Sequence, residues 1–268
     1  MNNFEKRLFT HILNAKVAPT LLQIAPQEDV DVGPIQDPEE MGPDYRLQVL
    51  FDVLTLVVPT IFLWSVWTMV KGLLDMRSDK CSEAALKAIR KALNYHKNKP
   101  IYFGSSPAEQ AAQLIAIFKD ILNELRGDCL KKFLDLPEVH QIARDIGAVL
   151  QETADEVINR YLVPAGNAGL IAYSKRLLEI GSQAAAIRVW LYANNYNFSA
   201  SEVAWIAGLS IAGIIALGAA ITLLGAALDL SLWGAPAGVA LNVVGVGIAA
   251  LGIWLYNNQP PDNTDNTV

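Results

Sequence analysis

Between Glu202 and Asp262 the chain carries a single charged residue, Asp229. Side chains this uniformly apolar over such a length must meet one another, a protein interior or lipid. The runs on either side of Asp229 read VAWIAGLSIAGIIALGAAITLLGAAL and LSLWGAPAGVALNVVGVGIAALGIWLY. Each is roughly 26 residues long, against the roughly 20 that a helix needs to cross a bilayer. Ser231, Gly234 and Pro236 fall at the break, and proline cannot continue a helix interior. The pattern predicts two apolar helices joined by a tight corner. Gly208, Ala212, Ala216 and Ala220 recur every four residues and predict one small-residue face; Gly218, Thr222 and Ala226 predict a second. Such rows let helix backbones approach closely. Two fates fit them: ordinary transmembrane helices of a resident protein, or a hairpin held in a soluble bundle and later inserted.

The apolar excess is local. The 268 residues are 52% hydrophobic and 18% charged, with a net charge of -6. That combination predicts membrane segments in a partly soluble chain, and the acidic balance argues against a nucleic-acid partner. Cys81 and Cys129 are too few and too far apart for a metal motif. Spacing does not show whether they pair, and free thiols are expected. The opening MNNFEKRLF lacks a basic region followed by an apolar run, so no secretory signal is expected and any export would be signal-independent.

Ahead of the hairpin, Met1–Gln23 predicts an amphipathic helix with Phe4, Leu8, Ile12 and Leu13 on one side. Pro26–Asp44 interleaves seven acidic residues with prolines and reads as a solvated linker, or an interaction segment for a delivery partner or chaperone. Val53–Val70 is uncharged but interrupted by Pro59. It reads equally as a short membrane span, with Lys71, Arg77 and Lys80 marking a cytoplasmic side, or as a buried bundle helix. From Asp79 to Glu202 the chain is charged and amphipathic. Helices are expected over Ser82–Lys97, from Pro107 to Arg126 behind a Ser106–Glu109 capping box, from Pro137 to about Leu162, and from Leu170 to about Tyr192. Ser199 and Glu202 form a second capping-box pattern at the foot of the first apolar arm. No strand pattern or internal repeat is present.

Chemistry is sparse. His11, His96 and His140 include no i, i+4 pair, and no Glu-x-x-His occurs. Glu152, Asp155 and Glu156 read as a solvated acidic face. There is no phosphate-binding Gly-x-x-x-x-Gly-Lys, and Gly245-Val-Gly247 lacks the rest of a dinucleotide fingerprint. No enzyme activity, cofactor or metal is expected.

Leu177–Tyr256 resembles the C-terminal end of the pore-forming domain of colicins. There, an amphipathic helix leads through an Asn/Gly turn into an uncharged, Gly/Ala-rich helical hairpin. The matching pieces here are LLEIGSQAAAIRVWLYANNYNFSASEVAWIAGLSIAGIIALG and the second apolar run. The corner Leu230-Ser231-Leu232-Trp233-Gly234-Ala235-Pro236-Ala237-Gly238 is similar to the family's, with one extra residue. The resemblance implies an all-α, multi-helix bundle around a central hydrophobic hairpin. It implies insertion into an inner membrane, a voltage-dependent channel, depolarisation, and a membrane-embedded immunity protein in the producer. Colicins also carry long receptor-binding and translocation regions, whereas residues 1–76 here form a shorter extension holding the acidic linker and the Val53 run. Either another secretion machine delivers this protein, or it is not delivered at all. The expected organisation is this extension, a pore-forming domain over 77–258 and a polar tail over 259–268. The expected membrane-inserting residues are Trp205, Gly208, Ala212, Ala216, Ala220, Leu224, Val239, Val243, Val246, Ala250 and Trp254. Asp229, Gly234 and Pro236 form the expected corner. The alternative is a resident three-span membrane protein of scaffold, holin-like or immunity type, integral to the inner membrane.

Overall fold

The computed structural model describes residues 50, 53–54, 57–97, 106–196, 198–229 and 235–259. The Met1–Gln23 stretch, the acidic linker, the Asn98–Gly104 turn, Gly234 and the tail from Pro260 lie outside them. Among the described residues every regular element is helical. The chain divides into two compact units, Gln36–Asn194 and one that contains Asn195–Val268.

The first unit is an amphipathic bundle. Its helix α1 (Thr60–Asp75) starts just after Pro59, because proline interrupts a helix but is tolerated at its start. The Val53–Val70 run is therefore not one continuous rod. Phe62, Val66, Met69, Val70 and Leu73 form a buried stripe, while Ile61 and Trp64 are exposed. Ser65 Oγ donates to Asp145 Oδ2 at 2.7 Å, and Gln113 Nε2 to the Val57 carbonyl at 2.8 Å. Sixteen residues rise about 24 Å, short of a hydrocarbon core of about 30 Å. The run is a bundle helix, and the third span of the three-span alternative is absent among the described residues.

Next come α2 (Lys80–Lys97), α3 (Pro107–Glu124), α4 (Gly127–Leu134) and α5 (Pro137–Leu150). Helix α3 is the bundle's most enclosed element, with Ala111, Leu114, Ile115, Ile117, Phe118 and Ile121 all buried. Ser106 caps it by accepting from the Glu109 N–H. The Glu109 carboxylate accepts from the Ser106 hydroxyl at 2.9 Å and pairs with Arg188 Nε at 3.1 Å. Cys81 and Cys129 are joined in a disulfide, with Cα atoms 4.9 Å apart. The expectation of free thiols fails because α4 folds back beside the first turn of α2, a non-local approach that spacing does not encode.

The helix expected over Pro137–Leu162 is two pieces. Gln151, in the left-handed region at φ 58°, ends α5. Thr153 and Glu156 then form a full capping box for α6 (Ala154–Val157), which runs into a π-helical turn, Ile158–Leu162. Gly147 permits the fold-back, since a Cβ there would lie 2.3 Å from the Glu152 carbonyl oxygen. The Leu170–Tyr192 helix likewise divides into α7 (Ala168–Glu179) and α8 (Gln183–Ala193). Gly181 supplies the positive φ between them.

Glu152 is not on a solvated face. Its side chain is 5% exposed, with Arg160 Nη1 at 3.1 Å and Arg176 Nε at 3.4 Å. The Tyr161 hydroxyl donates to it at 3.0 Å. His96, also buried, has Nε2 2.9 Å from Asp120 Oδ2.

The second unit contains α9 (Ala200–Ala207), α10 (Ile211–Asp229) and α11 (Ala235–Asn258). The Ser199–Glu202 capping box forms as the sequence indicates. The first apolar arm is not one rod, however. It breaks over Gly208–Ser210, and Ser210 Oγ restarts the helix by accepting from the Gly213 N–H at 3.1 Å.

Candidate functional site

Helices α10 and α11 pair antiparallel from the Ile215–Gly252 level to the Gly225–Asn242 level, and glycines set how closely. A Cβ on Gly218 would lie 2.3 Å from the Ala249 nitrogen. On Gly245 it would lie 2.4 Å from Thr222 Oγ1 and 2.8 Å from the Gly218 carbonyl oxygen; on Gly225, 2.8 Å from the Asn242 nitrogen; on Gly252, 2.6 Å from the Ile215 side chain. Real Cβ atoms do not come this close, so backbone meets backbone at the Gly218, Gly225 and Gly245 levels, and Gly252 makes room for the Ile215 side chain. The facing pairs are Ile215 with Gly252, Gly218 with Ala249, Thr222 with Gly245 and Gly225 with Asn242. Thr222 satisfies its hydroxyl locally, donating to the Gly218 carbonyl at 2.9 Å.

The inner contact uses different residues from the first row expected from the sequence. Gly208 lies before α10, at the end of α9, and Ala212, Ala216 and Ala220 are exposed. Of the second row, Gly218 and Thr222 sit at the contact and Ala226 is exposed. The signal that finds the contact is a seven-residue glycine spacing, Gly218 and Gly225 on one arm and Gly238, Gly245 and Gly252 on the other. Seven residues return to nearly the same helix face.

The outward surface is apolar and uncharged. Leu223 is 73% exposed, and Val239, Val243, Val246, Ile253 and Tyr256 are each more than half exposed. Trp205, Leu224, Ala250 and Trp254 are half-buried. The residues expected to insert therefore lie on the outer or partly covered surface of the unit, and none is fully buried. Asp229 is the last residue of α10; Pro236 is the second of α11, where a missing N–H leaves no helical bond unmade.

Both arms, as Ile211–Leu228 and Ala237–Asn258, are long and apolar enough to cross a membrane. The share of residues buried is 22% in the first and 50% in the second, so the first arm is the more exposed. Trp254 and Tyr256 lie near the C-terminal end of α11, away from the corner, the placement of aromatic side chains at a membrane–water interface.

Among the described residues no cluster of three His, Cys, Asp or Glu side chains could hold a metal. A cavity of about 210 Å³ between α2 and α3 is lined by Lys91, Ala92, Tyr95, Asp120, Asn123 and Glu124. Lys91 and Glu124 pair at 2.6 Å across it, which is a surface ion pair rather than a reactive group. Sequence reasoning missed the Glu152 cluster, which needs the break after Gln151 to turn Glu152 toward Arg160 and Arg176, and the His96–Asp120 bond, whose partners are 24 residues apart.

The chain matches no family model, no curated protein and no solved structure.

Proposed function

We propose that this chain is a membrane-inserting, pore-forming protein of the antibacterial toxin or effector kind, acting on a bacterial inner membrane through α10 and α11. One observation carries the reading: a hairpin zipped internally by backbone contacts, whose uncharged outer surface is left to the surroundings. Lipid can cover that surface at a gain of about 25 cal/mol per Å² of apolar area removed from water. The arms already satisfy their backbone polar groups internally, as a bilayer requires. The Cys81–Cys129 bond supports a working place in an oxidising compartment such as the periplasm or cell exterior. The resemblance to the colicin hairpin supports pore formation and, with it, an immunity protein and a dedicated secretion route or chaperone.

The test is release of a trapped dye from anionic liposomes by the chain purified without detergent. Release is expected from the wild type. Ala216→Lys and Val243→Lys put a charge on the outward surface near mid-height, where it costs about 3 kcal/mol in lipid, and should abolish release. Undiminished release by both variants would remove the hairpin as the inserting element. A second reading, a resident membrane protein now limited to two described spans, is favoured by the same exposed surface. It predicts a chain that cannot be kept monomeric without detergent.

A further inference from the structure

One contact sets non-helical backbone against the side of the hairpin. The Tyr196 ring lies directly on Gly247: a Cβ built there would be 2.4 Å from Cε1 and Cζ of the ring. The register places Gly247 opposite Ala220. Ala220 is the midpoint of α10, and Gly247 is the midpoint of the stretch of α11 paired with it. Tyr196 is thus seated at half-height on the hairpin. It is not helical, and it follows Asn195, an exposed residue in the left-handed region at φ 62°. Two residues later Phe198 is buried, and Ser199 begins the capping box of α9.

Were the hairpin to span a membrane as it stands, this irregular backbone would lie at the hydrocarbon centre. Non-helical backbone is not tolerated there facing lipid. Gly247 is also the residue whose missing side chain makes the seat, and it does not face α10.

We propose that Tyr196 on Gly247 is a latch: the ring holds the side of the hairpin at mid-height and must lift off before the arms can cross a bilayer. The inference rests on the membrane-inserting reading and adds its control. The latch works by occupancy. While the ring is seated, the hairpin can touch a membrane with one side only; once it leaves, Gly247 presents a smooth helix face to lipid. Tyr196 itself, a ring with a polar tip, then suits the interface.

The test is hydrogen exchange of the full chain, free and bound to phosphatidylglycerol–phosphatidylethanolamine vesicles, following peptides over 195–199 and 235–258. Binding is expected to raise protection in α11 and lower it over 195–199. Gly247→Ala evicts the ring while raising helix propensity; Tyr196→Ala removes the ring and leaves α11 untouched. A half-buried ring seated on a glycine is worth on the order of a factor of ten, so both variants should protect α11 about tenfold faster. Protection of α11 with 195–199 unchanged, or variants no faster than wild type, would overturn the latch and leave the membrane reading standing. If neither wild type nor variants gain protection in α11 on vesicles, the membrane reading falls and the latch with it.

Discussion

Glu152 shows how a single side chain can hold a local fold together. Its carboxylate gathers Arg160, Arg176 and Tyr161, linking the π-helical turn to α7. Removing one member of a buried ionic cluster strands the others, typically at about 3–5 kcal/mol. Arg160 is more than half exposed, so Glu152→Ala should cost less, about 2–3 kcal/mol in denaturant unfolding. Glu152→Gln, which keeps the shape, should cost less again. Nearby, the Thr153 backbone N–H holds the Glu156 carboxyl below the usual carboxylate range, with the Thr153 hydroxyl adding to it. A depressed carboxylate stabilises the folded state above its unfolded pKa and loses that contribution as pH falls through the folded value. Stability followed down through the ordinary glutamate range should therefore decline less steeply in Glu156→Gln than in wild type. At the alkaline end, burial pushes the Tyr161 and Tyr173 phenols well above their ordinary 10. The folded state keeps those protons while the unfolded state sheds them, so stability should fall as pH rises past the ordinary phenol value.

At the scale of elements, the sequence tells helices from the absence of charge and from their caps, and much less about where they break. The hairpin was legible because two long uncharged runs flank a proline corner, and the start of α9 because Ser199 and Glu202 have capping-box spacing. The breaks were not. The end of α5 depends on Gln151 entering the left-handed region without being glycine. The interruption before α10 depends on Ser210 outcompeting helix continuation by capping Gly213. The arm contact was legible in part: Gly218 and Thr222 of the second expected row sit on it, whereas Ala212, Ala216 and Ala220 of the first are exposed, since a four-residue row of alanines and a seven-residue row of glycines are both small-residue patterns. Gly218→Val and Gly245→Val should each weaken pairing of α10 with α11 by about 1–3 kcal/mol through overpacking. Increased proteolytic cleavage within 211–256 would report it. Ala216→Val, on the outward side, should leave cleavage unchanged.

For the whole molecule, the expectation of an all-α chain with an apolar hairpin is met, and the Val53–Val70 run resolves into a bundle helix. A hydrophobic run broken by proline is ambiguous until Ser65 and Asp145, 80 residues apart, are seen to bond. The disulfide was illegible for the same reason. In the chain-entropy account, closing a loop across 48 residues of separation stabilises the fold by about 4 kcal/mol. Reduction should lower the unfolding free energy of the bundle by an amount of that order, measured in denaturant with and without reductant. That bond also has a topological consequence. Helices α2 and α3 are threaded on a closed ring whose clasp is Cys81–Cys129, so the bundle cannot unroll as an open string. If it flattens against a surface, those two helices must travel as a hoop, and cutting the clasp should change the shape of the flattened state as well as the ease of reaching it.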